Sequence, residues 1–341
     1  MNWHSKARPS NSYHELAVRI GCKTATEFLD LIAPRGGLFG DAPQRGAWIF
    51  RGHADDRWRL LPSALRKNVF LRSNYLHEWI RVNPLKHNLY TQLLYELENL
   101  TAFFWRADLR GLTLPEDSQH LRRLLDPGDP TNLRQQLHSG KPYVWPRSEL
   151  LSLMALAQHY RIPTRLLDWT RNPYVAAYFA AAKAASWVRS PERAPDGATQ
   201  IAVWALRAEG LRITSSSRRR YLEELVQGLR VLIVTAPGAG NPNLNAQEGL
   251  FLIERPRNYQ RRQLIGAVDV RTMDRTVVDY AKDRGLSNPV LFRVTLPIKE
   301  SPRLLHLLHS EGIDAAALYP GFDGVAQAVK ETELWQAEAP T

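Results

Sequence analysis

The sequence predicts an α+β protein with a largely helical first half. Between residues 83 and 187 the apolar residues recur at helical spacing or gather in alanine-rich runs. After Pro191 they form short β-branched runs instead. The two kinds of segment do not alternate regularly, as a doubly wound sheet requires.

Taken in order, residues 13–33 read as a short helix entering the Gly/Pro-rich turn APRGGLFGDAPQRG. A strand follows at 47–51. Leu89, Leu93, Leu97, Leu100 and Phe104 lie three or four apart, one face of a long helix. The polar, Pro-rich stretch 115–147 reads as loops with one short helix inside. Ser148 is placed to cap the helix ELLSLMALAQHY, and Pro163 stops it from running on. TRLLDW reads as a short buried strand. Asn172 and Pro173 form an N-cap and first helical position for the alanine-rich helix YVAAYFAAAKAASW. Strands are expected at 200–207, 230–237, 249–255 and 290–297, and helices at 218–227, 272–285, 301–311 and 322–333.

The 341 residues, 44% of them hydrophobic, can bury one large core or two smaller ones. The net charge of +11 favours anionic partners. Arg218, Arg219 and Arg220 make one basic cluster; Arg255, Arg257, Arg261 and Arg262 make another. Cys22 is the only cysteine, so no disulfide within the chain and no cysteine-based metal site can form. With no apolar leader and no run of membrane-spanning length, a soluble cytoplasmic protein is expected. No phosphate-binding glycine loop, H-E-x-x-H or G-x-S-x-G occurs. His306 and His309 sit among leucines without a carboxylate at ligand spacing, so no metal is expected.

The densest segment is LMALAQHYRIPTRLLDWTRNPYVAAYFA, 153–180. Gln158, His159, Thr164, Arg165, Asp168 and Thr170 crowd an apolar stretch. Burying such groups unpaired costs about 1–3 kcal/mol each. They either bond one another, Arg165 with Asp168 foremost, or line a cleft. Strand alternation puts Asp168 and Thr170 on one face. The helix start at Asn172-Pro173 adds free N–H groups and a positive dipole end. A strand ending this way suits a pyrophosphate and a ribose, with Arg51-Gly52 supplying the opposing charge.

FRG at 50–52, AQHYRIPTRLLDWTRNPYVAAYFA at 157–180, AQEGLFLI at 246–253 and GIDAAALYPGFDGVAQAV at 312–329 together resemble the FRG domain family. The resemblance implies a domain over 45–333, with a helical insertion near 70–147, an extension at 1–44 and a tail at 334–341. The motif order is in turn similar to ADP-ribosyltransferases. It implies their split mixed or antiparallel sheet, with NAD as substrate. In that pattern an aromatic-Arg-Gly ends the first strand, a Ser-Thr-Ser strand leads into a helix, and a glutamate-bearing strand follows. Here Asp168-Trp169-Thr170 replaces Ser-Thr-Ser. Gln247 directly precedes Glu248, where the pattern leaves one residue between, so either one is left to face the cleft.

The implied roles follow. Arg51, beside Gly52, grips the pyrophosphate as a planar fork. Glu248, or Gln247 in its place, faces the reacting sugar carbon, whose transition state is oxocarbenium-like. Thr170 holds the strand or the carboxylate. His159 or Arg165 takes the adenosine side, Asp168 contacts the cofactor, and Tyr174 or Phe179 stacks on a ring. The basic charge points to nucleic acid as acceptor, DNA more than RNA, through Arg218, Arg219, Arg220, Arg261 and Arg262. Such a transferase keeps company with toxins and anti-phage factors. Two other classes stay open: a nuclease using His159 and Arg165, and a non-catalytic binding module whose polar cluster is structural.

Overall fold

The computed structural model describes residues 16–40, 47–66, 88–139, 144–208, 231–235, 242–254 and 272–336. Its strands are β1 (Ala17–Gly21), β2 (Trp48–His53), β3 (Leu167–Thr170), β4 (Gln200–Arg207), β5 (Val231–Val234), β6 (Gly249–Glu254) and β7 (Leu291–Pro297). They form one sheet in the order β1-β7-β4-β2-β3-β6-β5. Only the β1–β7 pair is parallel, so the sheet is mixed and the class is α+β.

The helices are α1 (Ala25–Ile32), α2 (Leu89–Leu109), α3 (Gln119–Leu125), α4 (Leu133–His138), α5 (Leu151–His159), α6 (Pro173–Arg189), α7 (Pro242–Ala246), α8 (Met273–Asp283), α9 (Ser301–Ser310), α10 (Ala315–Leu318) and α11 (Phe322–Gln336). Among the described residues no helix is long and apolar enough to cross a membrane.

Three local expectations need correction. The helix expected over 13–33 is split. Residues 17–21 pair with β7 from Ala17↔Leu291 to Gly21↔Thr295, and the helix starts only after Thr24, whose Oγ1 accepts from Glu27 N at 3.2 Å. Long-range pairing has overridden a local helical reading. The stretch 115–147 holds two short helices, α3 and α4, rather than one. Ser148 caps nothing: it opens a 3₁₀ turn, Ser148–Leu150, and its hydroxyl donates to Glu149 Oε2 at 3.1 Å. The helix expected at 218–227 lies outside the described residues.

The sheet separates two cores. On one face Ile49, Trp204, Leu167 and Leu252 pack with α2, α5 and α8. On the other, Phe50, Val203, Ala205 and Leu296 pack with α1, α6 and α9. Strand alternation produces this division, since Ile49 and Phe50 are neighbours in β2 and face opposite ways. In the first core Arg165 Nε donates to Glu96 Oε2 at 2.5 Å. Glu96 also accepts from Gln92 Nε2 at 2.7 Å and from Trp145 Nε1 at 2.8 Å. A buried ion pair needs such extra bonds to offset its desolvation.

The expected start of α6 is present: Asn172 Oδ1 accepts from Tyr174 N at 2.9 Å, with Pro173 at the first helical position. Its buried alanines bring the helix backbone against β2. The approach is so close that a Cβ on Gly52 would stand 1.9 Å from Ala176 O and 2.8 Å from Ala180 N. Gly52 is therefore required by packing. Gly52→Ala is expected to destabilise the fold by about 3 kcal/mol, since backbone on both sides must move. Urea denaturation measures this, and an unchanged midpoint would contradict the close approach.

Candidate active site

β2 and β3 share a single paired position, Phe50↔Thr170. Past it the strands part. Backbone groups that lose their ladder need other partners, and Arg51 supplies one. Its Nη1 donates to the main-chain oxygen of Asp168 at 2.5 Å and lies 3.4 Å from Asp168 Oδ2. Its Nε donates to His53 Nε2 at 3.1 Å. The Arg51 side chain is only 16% exposed, whereas that of Asp168 is 63% exposed. Burial lowers the Arg51 pKa and the neighbouring Asp168 raises it; a guanidinium keeps its charge under that pull.

Because Arg51 Nε–H can only donate, His53 Nε2 must accept, which fixes the neutral tautomer with its proton on Nδ1. Burial, and then the Arg51 charge, push the imidazole pKa down to about 3. On the other side Gln158 Nε2 donates to Asp168 Oδ1 at 2.7 Å. Thr164 Oγ1 donates to Gln158 Oε1 and accepts from Leu166 N. A continuous chain thus runs Thr164–Gln158–Asp168–Arg51–His53. Each member fixes the orientation of the next.

The gap opens into a cleft of about 780 Å³. It is lined by Arg51, Gln158, His159, Arg161 and Asp168, by Phe50, Gly52, Thr170, Ala176 and Phe179, and by Asn243, Gln247, Tyr319, Asp323 and Gln327. α5 belongs to one core and α6 to the other. The cleft therefore passes between the two faces of the sheet at the place where β2 and β3 separate.

Of the residues expected here, Arg51, Gly52, His159, Asp168, Thr170 and Gln247 border the cleft. His159 is half-buried and packs edge-on against Tyr160, ring centres 5.0 Å apart. Thr170 is buried and its hydroxyl is engaged: it donates to Gln247 O at 2.7 Å and accepts from Asn172 N at 3.0 Å. It ties β3, α6 and the turn before β6 together.

Glu248, Arg165 and Tyr174 do not line the cleft. Glu248 sits at a left-handed φ of 46°, which turns its side chain aside from that of Gln247. Its Oε1 lies 3.4 Å from Asn172 Nδ2 and its carbonyl accepts from Arg171 N. Arg165 points into the first core, to Glu96. Tyr174 packs in the second core, where burial first, then Glu311 and Asp30, raise its pKa. At the start of α6 the Asn172 side chain caps Tyr174 N; Asn172, Pro173 and Tyr174 do not border the cleft, whereas Ala176 in the first turn does. Arg218, Arg219, Arg220, Arg261 and Arg262 lie outside the described residues.

From the sequence, Gln158 reads only as a member of the polar cluster, and Arg161, Tyr319, Asp323 and Gln327 receive no role. The exposed Arg161 ends α5 at φ 65°, in a position that favours glycine. That backbone angle leaves no mark in the side-chain pattern. Asp323 and Gln327 come from a distant helix; both lie in the 312–329 segment that carries the resemblance, but nothing in that segment assigns them to the cleft. Among the described residues no group of three His, Cys, Asp or Glu side chains is placed to hold a metal.

The FRG domain family model matches residues 46–187 of the chain. No curated protein and no solved structure matches the chain. The matched segment supplies β2, α5, β3 and α6; α7, β6, the turn at Tyr319 and Pro320, and α11 complete the cleft from beyond it.

His53 generates a pH prediction. The unfolded imidazole titrates near 6.5, the folded one near 3. Between those values the unfolded chain binds the extra proton, so stability falls as pH drops, by up to about 1.4 kcal/mol per pH unit. His53→Gln keeps an acceptor for Arg51 and removes the titration. Its loss of Tm between pH 7 and pH 5 should be smaller than that of the wild type. Equal losses would mean His53 does not titrate on unfolding.

Proposed function

We propose, taking the FRG domain at 46–187 as one side of the cleft, that the chain is an NAD-dependent ADP-ribosyltransferase with the split-sheet architecture of that class. The observation that carries the reading is a fixed guanidinium beside an exposed carboxylate, both at the mouth of a gap between two strands. Arg51 Nη2 makes no hydrogen bond among the described residues, and it serves the dinucleotide's diphosphate. The exposed carboxylate at the gap is that of Asp168, so Asp168 takes the role that the sequence pattern gave to Glu248. It faces the ribose carbon as positive charge builds there. Nicotinamide leaves with the electron pair of its bond to the sugar, the acceptor's nucleophilic atom forms the new bond, and the acceptor's proton passes to Asp168. Phe179 and Tyr319, ring centres 6.4 Å apart and edge to face, supply apolar surface for a ring.

The acceptor is a macromolecule, and the net charge of +11 favours DNA. A non-catalytic binding module is the second reading. It is favoured by the polar chain from Thr164 to His53, which is bonded without any ligand.

Incubation with nicotinamide-labelled NAD and DNA, RNA or protein separates these. The transferase releases nicotinamide, and Arg51→Ala or Asp168→Asn lowers the rate by about 10²–10³-fold. Binding of DNA with no nicotinamide release supports the module, and cutting of DNA without NAD supports a nuclease.

A further inference from the structure

Two glutamines in the cleft have amides whose direction is chemically forced. Gln327 Nε2 lies 2.8 Å from Glu331 Oε1 and 3.2 Å from Tyr178 Oη. Tyr178 Oη itself donates to Glu331 Oε1 at 2.6 Å. A carboxylate only accepts, and the phenol has spent its proton, so both partners demand a donor from Gln327. The amide nitrogen must face them. Burial first, then Glu331, raise the Tyr178 pKa, which keeps that phenol protonated. Gln247 repeats the arrangement: its Nε2 donates to the main-chain oxygen of Leu318 at 3.1 Å, and a carbonyl also only accepts.

In both residues the side-chain oxygen is then the end left over, and among the described residues it accepts no hydrogen bond. Both border the cleft, as does the exposed carboxylate of Asp323. Gln158 differs, because both ends of its amide are engaged, with Asp168 and Thr164. The cleft lining thus includes two cations, Arg51 and Arg161, and three acceptors, the side-chain oxygens of Gln247 and Gln327 and the carboxylate of Asp323.

We infer that Gln247 and Gln327 form a subsite for a planar N–H₂ group on the ligand, a primary amide or an exocyclic ring amine, with Glu331 and Tyr178 acting as positioning residues. The inference rests on the NAD reading, because a dinucleotide carries one such group at each end, the carboxamide and the adenine amine. A ligand with anionic charge in its middle and an N–H₂ group at its tip matches that lining. A site that presents fixed acceptors rejects an analogue whose donor has become an acceptor, since two oxygens then face each other unpaired.

The test is equilibrium binding of three ligands to the full chain: NAD, its analogue with a carboxylate in place of the carboxamide, and its analogue with a carbonyl in place of the adenine amine. The wild type should bind one of the analogues about tenfold or more weakly than NAD. The analogue it rejects identifies the end that is read. Gln327→Met should bring that ratio close to one. Glu331→Gln should reduce it with Gln327 still present, because a glutamine partner no longer forces the amide direction; a merely structural role for Glu331 would leave the ratio unchanged. Equal binding of all three ligands by the wild type overturns the subsite and leaves the NAD reading standing. So does a preference that survives in both variants. No NAD binding at all overturns both.

Discussion

The site depends on a seam where two neighbouring strands of the sheet are barely paired. β2 and β3 are adjacent, yet they share only Phe50↔Thr170. An open seam inside a sheet strands backbone donors and acceptors, and a low-dielectric interior makes that costly. Arg51 resolves part of this by bonding the Asp168 carbonyl with its side chain. The same contact fixes a cation at the base of the opening. Gly52 beside it lets α6 lie directly on the strand, which brings Ala176 and Phe179 to the seam. Tyr319 follows, through its edge contact with Phe179.

Around the seam the polar groups are held rather than free. The Thr164–Gln158–Asp168–Arg51–His53 chain orders one end of the cleft, and Thr170 joins β3 to the turn before β6. Two non-glycine residues near this region, Arg161 and Glu248, adopt left-handed backbone angles. Such conformations persist only where the surrounding structure enforces them, and they gather at working sites. The Arg165–Glu96 pair plays a different part: it anchors the segment before β3 to α2. Its chemistry resembles that of the cleft, but its location makes it core.

Much of this was legible from sequence. The Asn172-Pro173 helix start foretold local structure correctly because near neighbours set it, and the polar residues of 158–170 do bond one another or border the cleft, whereas the strand expected to end at Arg51 runs on to His53 in its pairing with β4. Where partners come from afar, the reading stopped short. Arg165 was paired in thought with Asp168, three residues on, but Glu96 on α2 reaches it first. The choice between Gln247 and Glu248 turns on one positive φ that no side-chain pattern announces. Residues 17–21 looked helical until β7, far along the chain, gave them a strand to pair with. Asp323 and Gln327 reach the cleft only because α11 folds back over α6.

The most direct measurement is a crystal structure of the chain soaked with ADP-ribose. The account predicts diphosphate oxygens within hydrogen-bond distance of the Arg51 guanidinium, and the ribose beside the Asp168 carboxylate, with the β2–β3 seam still open. Density for the ligand elsewhere on the surface, with the Arg51–Asp168 contact undisturbed and nothing in the cleft, would contradict it.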